Sequence, residues 1–177
     1  MPTREDIVLF ARYNAAMNRK LYAAAAQLPD EALHAERGAF FGSLSGTLNH
    51  ILAADTIWLR RFMAHPAGFR SLQEVAGLPA PSSLAHRHGD DLDTLLALRL
   101  RLDAVITALA AELNDADLAH ALAYRNARGD CRTQFGSLLL HFFNHQAHHR
   151  GQASTLLSQA GVDLGVTDLL EQIPECA

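Results

Sequence analysis

Segment 138–152 constrains the fold more than any other part of the chain, because it combines helical periodicity with four histidines: His141, His145, His148 and His149. On an α-helix of about 3.6 residues per turn, these side chains fall within an arc of roughly 100° that also carries leucine and phenylalanine. A second apolar strip, which includes Phe143 and Leu157, runs beside this arc. Such a helix must be buried over much of its circumference, and its imidazoles need partners in the interior.

The spacing of these histidines predicts a metal site but leaves its ligands open. His141, His145 and His149 follow one another at intervals of four residues, so their side chains are neighbours on one helix face. A specific site needs a third ligand from another element, since two histidines on one helix bind a divalent ion weakly. His50, at the edge of the apolar arc of an earlier helix, is a candidate. The alternative is that all are core or interface histidines satisfied by hydrogen bonds.

Periodicity and capping signals predict four long helices, at residues 3–27, 43–64, 82–113 and 134–160. A connection at 65–81 is long enough for a crossover, and the pattern at 120–133 predicts a hairpin in which Gly129 takes a positive φ. Short helical turns are expected within 30–35, 72–76 and 167–172. The fold class is therefore all-α, an antiparallel four-helix bundle with a hairpin before the fourth helix, and we expect residues 1–177 to form one domain.

The composition of the chain limits its partners and its compartment. The net charge of -4 and the absence of a basic run give no reason to expect nucleic acid or an anionic membrane as a partner. The N-terminus lacks the pattern of a signal peptide, and no window approaches the roughly 18 apolar residues of a membrane span. We therefore expect a cytoplasmic protein in which Cys131 and Cys176 are reduced thiols.

Other catalytic motifs are missing from the sequence. His-Glu-x-x-His is absent, and Glu31 to His34 is the only Glu-x-x-His, in a short link where a di-iron bundle would need two copies on long helices. There is no glycine-rich phosphate loop, Gly-x-Ser-x-Gly elbow or Cys-x-x-Cys motif. The histidine-bearing face is the only strong chemical feature.

Segment 144–152, Asn-His-Gln-Ala-His-His-Arg-Gly-Gln, closely resembles the signature of the DinB/YfiT-like superfamily of metalloenzymes, which is unrelated to the translesion polymerase sharing the name. Leu156-Leu157 and Gly161 continue the likeness. Segment 48–55 with Trp58-Leu59 resembles the second helix of the family, and Tyr13-Asn14 resembles its first. The resemblance thus covers three of the four predicted helices.

This resemblance implies that His50, His145 and His149 bind a divalent ion, nickel or zinc, within a bundle of up-down-down-up order that is commonly a homodimer. It leaves His141 and His148 outside the ligand set, where both could still line a pocket. Relatives include transferases and isomerases that depend on bacillithiol, mycothiol or glutathione. We therefore expect a metal-dependent transferase, isomerase or hydrolase with a small-molecule substrate and a low-molecular-weight thiol as a further cofactor. The alternative is a metal-binding stress-response protein whose ion is structural.

Four polar residues on apolar helix faces need partners of their own. Asp55 and Arg150 lie on helices that a shared metal would bring together, so we predict an ion pair between them. A role for Asp55 as a general base is the alternative. Gln152, one turn beyond His148, is predicted to hydrogen-bond a metal ligand or a metal-bound water. Asn14, in the apolar stripe of the first helix, is expected to be a satisfied core amide.

Overall fold

The computed structural model describes residues 1–175, which are mostly helical and include a small two-stranded sheet. The elements in chain order are α1 (Arg4–Ala25), α2 (Asp30–His34), α3 (Leu44–Phe62), α4 (Gln73–Ala76), α5 (Leu92–Glu112), α6 (Asp115–Ala119), β1 (Ala121–Asn126), β2 (Gly129–Gln134) and α7 (Phe135–Gln159). Short 3₁₀ turns occupy Arg70–Leu72 and Leu169–Gln172. Cys131 is a free thiol, and Cys176 lies outside the described residues.

Local signals set most of the helix ends where the sequence predicts them. Thr3 and Asp6 form a reciprocal capping box at the start of α1. Ser43 caps α3 by accepting a hydrogen bond from the backbone nitrogen of Gly46 at 3.1 Å. Gly161, with a φ of 81°, follows the end of α7 and adopts the left-handed conformation that glycine takes at no steric cost.

The predicted start of the third long helix was wrong, because α5 begins at Leu92 and not at residue 82. Asp91 is the N-cap, and its carboxylate accepts a hydrogen bond from the Thr94 nitrogen at 2.7 Å. Residues 82–91 form a loop instead. Leu84 is 54% exposed, and His88 precedes the helix.

A side chain of α3 holds this loop in place. Asn49 Oδ1 accepts a hydrogen bond from the backbone nitrogen of His88 at 2.6 Å, and its Nδ2 donates to the carbonyl of Gly89 at 3.0 Å. These bonds occupy backbone groups that a helix would need for itself, so tertiary contacts override the helical periodicity of the segment.

The four long helices pack around a common core, with α1 and α3 each contacting both α5 and α7. The ring of Phe10 on α1 stacks on Phe143 of α7 with a centroid separation of 5.7 Å, so α1 covers part of the second apolar strip of α7. The predicted hairpin is confirmed: β1 and β2 are antiparallel, Asn126 faces Gly129, and the φ of Gly129 is 112°.

Asp55 forms a buried ion pair, but its partner is Arg99 and not Arg150 as predicted. Arg99 Nη1 lies 2.5 Å from Asp55 Oδ2, and Arg99 Nη2 lies 3.1 Å from Asp103 Oδ1. Asp55 and Arg99 are 0% and 1% exposed. Arg99 is one turn from Leu95 and from Leu102 on the buried stripe of α5, so the periodicity contained a signal for its burial.

Amide side chains separate Arg150 from these carboxylates. Arg150 Nη1 donates to Asn14 Oδ1 and, at 3.5 Å, to Asn18 Oδ1. Asn18 Nδ2 in turn donates to Asp103 Oδ1 at 2.9 Å. Asn14 is 1% exposed and hydrogen-bonded, as expected of a core amide. Helices α1, α3, α5 and α7 therefore all contribute to one buried polar cluster, which comprises Asn14, Asn18, Asp55, Arg99, Asp103 and Arg150.

Burial controls the ionisation of this cluster. It raises the pKa of Asp55 to about 6, although the attraction of Arg99 opposes the rise. Burial alone would lower the pKa of Arg99, but Asp103 and Asp55 outweigh that effect and raise it, so the guanidinium stays charged.

Replacing Arg99 by methionine should lower the free energy of unfolding by about 3–5 kcal/mol, because two buried carboxylates lose their shared cation. The loss should be largest above pH 6 and smaller at pH 5. Without Arg99 the folded-state pKa of Asp55 rises further, and protonation then stabilises the folded state as the pH falls. Urea denaturation at both pH values measures the effect.

Arg101→Met is the matched control, since Arg101 lies on the same helix and pairs with Glu74 at 3.0 Å on the surface. Its loss should cost less than about 1 kcal/mol. Equal losses for the two variants would contradict the role assigned to Arg99.

Candidate metal centre

Three histidine nitrogens converge between α3 and α7. The Nε2 atom of His50 lies 3.3 Å from Nε2 of His145 and 3.1 Å from Nε2 of His149, and the latter two atoms are 3.1 Å apart. His145 and His149 are one turn apart on α7, so their side chains share a face. In the described part of the chain, these residues are the only group of three or more His, Cys, Asp or Glu side chains that could hold a metal ion.

The triangle of nitrogens has the size that a metal ion requires. Imidazole nitrogens bound at about 2.0–2.1 Å to one ion lie about 2.8–3.4 Å apart when the angles between ligands are near 90–110°. All three measured separations fall within that range. The residues present therefore fit a divalent ion, although the geometry does not distinguish nickel from zinc.

Hydrogen bonds fix the tautomers of two of these rings. His50 Nδ1 donates to the carbonyl oxygen of Leu84 at 2.7 Å, and His149 Nδ1 donates to Gln152 Oε1 at 2.8 Å. Each neutral ring then presents its Nε2 lone pair to the centre. Two lone pairs 3.1 Å apart repel one another, and a cation between them removes that repulsion. Gln152 was predicted to bond a metal ligand or a metal-bound water, and it bonds one of the three converging histidines.

The surroundings keep the three rings neutral. Burial lowers the pKa of His145 to about 3, with further lowering by His149 and His50. Burial also lowers the pKa of His50 and that of His149, although the hydrogen bond that His149 donates to Gln152 opposes the lowering at His149. Neutral imidazole is the form that binds a metal ion, so the rings are in the binding state near pH 7.

One side of the centre is covered by the link before α3 and by the loop before α5. Phe41, from the link before α3, stacks on the ring of His50 with centroids 3.8 Å apart and meets His149 edge-on at 5.6 Å. The loop 82–91, held by Asn49, supplies the Leu84 carbonyl. An aromatic ring and a peptide chain thus exclude water from the His50 side.

The remaining histidines of α7 border the centre on its other side. His141 lies 6.0 Å from His145 by ring centroids and contacts Trp58 at 5.1 Å. His148 Nε2 accepts a hydrogen bond from Gln152 Nε2 at 3.2 Å. Both rings are exposed, and neither belongs to the group of three.

Some residues of the site were missed in the sequence. Phe41 lies in an irregular link without periodicity, and the Leu84 contribution is a backbone atom, so neither had a signal. Asn49 did have one, because it is a polar residue between Leu48 and His50 on a largely buried helix. Asp55 lies outside the ligand group and its Oδ2 is bound to Arg99, which favours pairing over general-base chemistry.

Fold and site together define a mostly helical protein in which two long helices bring together three histidines that could hold a metal ion. The model of the DinB family matches residues 1–175, and the chain belongs to that family. It is 27% identical over 157 residues to Protein DinB of Bacillus subtilis (strain 168), covering 88% of this chain and 87% of the relative.

A crystal structure of a DinB-like protein from Bacillus cereus ATCC 10987 has the same fold, with a TM-score of 0.62. The likeness covers 93% of this chain and 97% of the other at 22% identity. No helix within residues 1–175 combines the length and the apolar character needed to cross a membrane.

Replacing Gln152 by alanine should weaken metal binding about ten- to hundredfold at unchanged stoichiometry, because His149 loses the acceptor that fixes its tautomer. Competition with a chromophoric chelator measures the affinity. Gln159→Ala, at the exposed end of the same helix, is the control and should leave the affinity unchanged. An equal loss in both variants would show that Gln152 acts only through the stability of α7.

Proposed function

We propose that the protein is a metal-dependent enzyme acting on a small molecule, with His50, His145 and His149 as ligands of a divalent ion, nickel or zinc. The observation that carries this proposal is the convergence of three Nε2 atoms within 3.3 Å of one another. Membership of the DinB family supports it, since the same three positions were implied by the family resemblance of the sequence.

The reaction class we propose is thiol-dependent transfer or isomerisation, or hydrolysis. His50, His145 and His149 would hold the ion as neutral imidazoles and leave it its full charge, and the ion would then acidify a bound thiol or water enough to supply a nucleophile at neutral pH. The protein's own part is to present the three lone pairs, to hold His50 and His149 through Leu84 and Gln152, and to exclude water with Phe41. A low-molecular-weight thiol is the second cofactor of this proposal.

The alternative is a binding or stress-response protein in which the ion is structural. A structural zinc site usually has four protein ligands, whereas a catalytic one keeps a position open. The candidate group has three histidines, and no fourth His, Cys, Asp or Glu of residues 1–175 joins it. This count favours catalysis.

Three further features belong to the proposal: an up-down-down-up four-helix bundle, a homodimer and a cytoplasmic location. The second apolar strip of α7 is a weak argument for a dimer, because Phe10 of α1 already covers Phe143. Size-exclusion chromatography with light scattering measures the oligomeric state directly.

His145→Ala should abolish stoichiometric metal binding, since the remaining pair of histidines binds a divalent ion weakly. Metal analysis of the purified protein, reconstituted with nickel or zinc, provides the measurement. His141→Ala removes another imidazole, one turn earlier on α7 and outside the group of three, and should leave the metal content unchanged. Unchanged metal in His145→Ala would contradict the ligand assignment.

Turnover distinguishes the enzyme from the structural alternative. Metal-loaded protein is incubated with bacillithiol, mycothiol or glutathione and a panel of electrophilic substrates, and with ester and amide substrates for hydrolysis. We expect a reaction that His50→Ala abolishes and His148→Ala retains. A full complement of metal without turnover in any arm would favour the structural ion.

A further inference from the structure

Arg61 is a partly buried cation near the candidate metal centre that lacks an anionic partner. None of the ion pairs among residues 1–175 includes it. Its Cζ lies 4.6 Å from the ring centroid of Trp58 and 5.6 Å from that of Tyr124, so two aromatic rings hold the guanidinium. The guanidinium keeps its charge at neutral pH. A positive charge thus remains available to a ligand.

The same aromatic rings connect Arg61 to the metal centre. We call Trp58, Arg61, Tyr124 and His141 the Arg61 wall. Trp58 lies 5.4 Å from Tyr124 and 5.1 Å from His141, and His141 lies 6.0 Å from His145. Phe41 and the loop 82–91 cover the opposite, His50 side. The Arg61 wall therefore meets the centre at His145, through His141, and not at His50.

The spacing along α3 gives the length that a ligand must span. Arg61 follows His50 by eleven residues, about 16 Å along the helix axis, and a long helical side chain extends back toward the N-terminus. The guanidinium is therefore on the order of 10 Å from the three imidazoles. A molecule that meets both must be elongated.

The hairpin contributes to the wall through its inward face. Tyr124 pairs with Cys131 across the two strands, and both are partly buried, whereas Arg125, Asp130 and Arg132 alternate outward. Asp130, the one acidic residue of the hairpin, pairs with Arg125 at 3.3 Å and is therefore not a partner of Arg61. The strand alternation thus leaves Arg61 facing aromatic rings and not a carboxylate.

We propose that the Arg61 wall selects an elongated anionic ligand, whose negative group binds Arg61 while its other end reaches the metal centre. This inference rests on the proposed function and adds the class of its substrate or thiol cofactor: a molecule with a carboxylate, phosphate or sulfonate about 10 Å from its reacting group. Arginine suits such a group because its planar fork binds carboxylates and phosphates with two hydrogen bonds.

Two thiols of equal length and different charge test the selection. Cobalt-loaded protein is titrated with 6-mercaptohexanoate and with 6-mercaptohexanol. Thiol binding is followed by the thiolate-to-cobalt charge-transfer absorption band. At low ionic strength the wild-type protein should bind the carboxylate about tenfold more tightly than the alcohol. The preference should shrink as salt is added.

Arg61→Gln should abolish the preference while leaving the affinity for 6-mercaptohexanol within about twofold. Arg61→Lys should retain part of the preference. Arg132→Gln is the matched control, because it removes the same charge from the outward face of the hairpin, and it should keep the preference intact.

The outcomes separate this inference from the proposed function. If Arg61→Gln weakened the binding of both thiols equally, Arg61 would only hold the hairpin against α3, and the inference would be overturned. Equal affinities in the wild-type protein would overturn it too. Cobalt-loaded wild-type protein that binds neither thiol would contradict the proposed thiol chemistry itself, and the inference with it.

Discussion

The packing of α3 against α7 is the constraint on which the candidate metal centre depends, because His50 comes from one helix and His145 and His149 from the other. The buried polar cluster connects both of these helices to α1 and α5. Asp55 lies five residues after His50 on α3, and Arg150 directly follows His149 on α7. Asp55 is tied to α5 through Arg99, and Arg150 is tied to α1 through Asn14. Two buried carboxylates and two guanidinium groups balance in charge, which offsets part of the cost of burying each one.

The sequence predicted the four long helices apart from the start of α5, and the family resemblance singled out the three histidines that the structure brings together. Capping residues such as Thr3 and Ser43, and the φ of Gly161, act locally, so their effects can be predicted from neighbouring residues. The start of α5 could not be predicted in this way. Residues 82–91 have helical periodicity, but Asn49, some forty residues earlier, takes their backbone groups.

The predicted partner of Asp55, Arg150, was wrong for a related reason. Helical periodicity shows that Asp55, Arg99 and Arg150 all lie on buried faces, but it does not give the distances between helices that decide which arginine reaches the carboxylate. Phe41 and the Leu84 carbonyl carry no recognisable sequence signal at all, since one lies in a link and the other is a main-chain atom. Sequence patterns therefore supply the list of candidate ligands. The fold supplies the orientation of these side chains and the residues that cover them.

The two sides of the centre differ in a way that matters for chemistry. On the His50 side an aromatic ring and a loop exclude water, while on the other side His141, Trp58 and Arg61 form an aromatic and cationic border. Anomalous diffraction from crystals of the nickel- or zinc-loaded protein tests this account most directly. It predicts one peak, about 2.0–2.2 Å from Nε2 of His50, His145 and His149, with no fourth protein ligand. A peak at another position, or a fourth ligand from the protein, would contradict it.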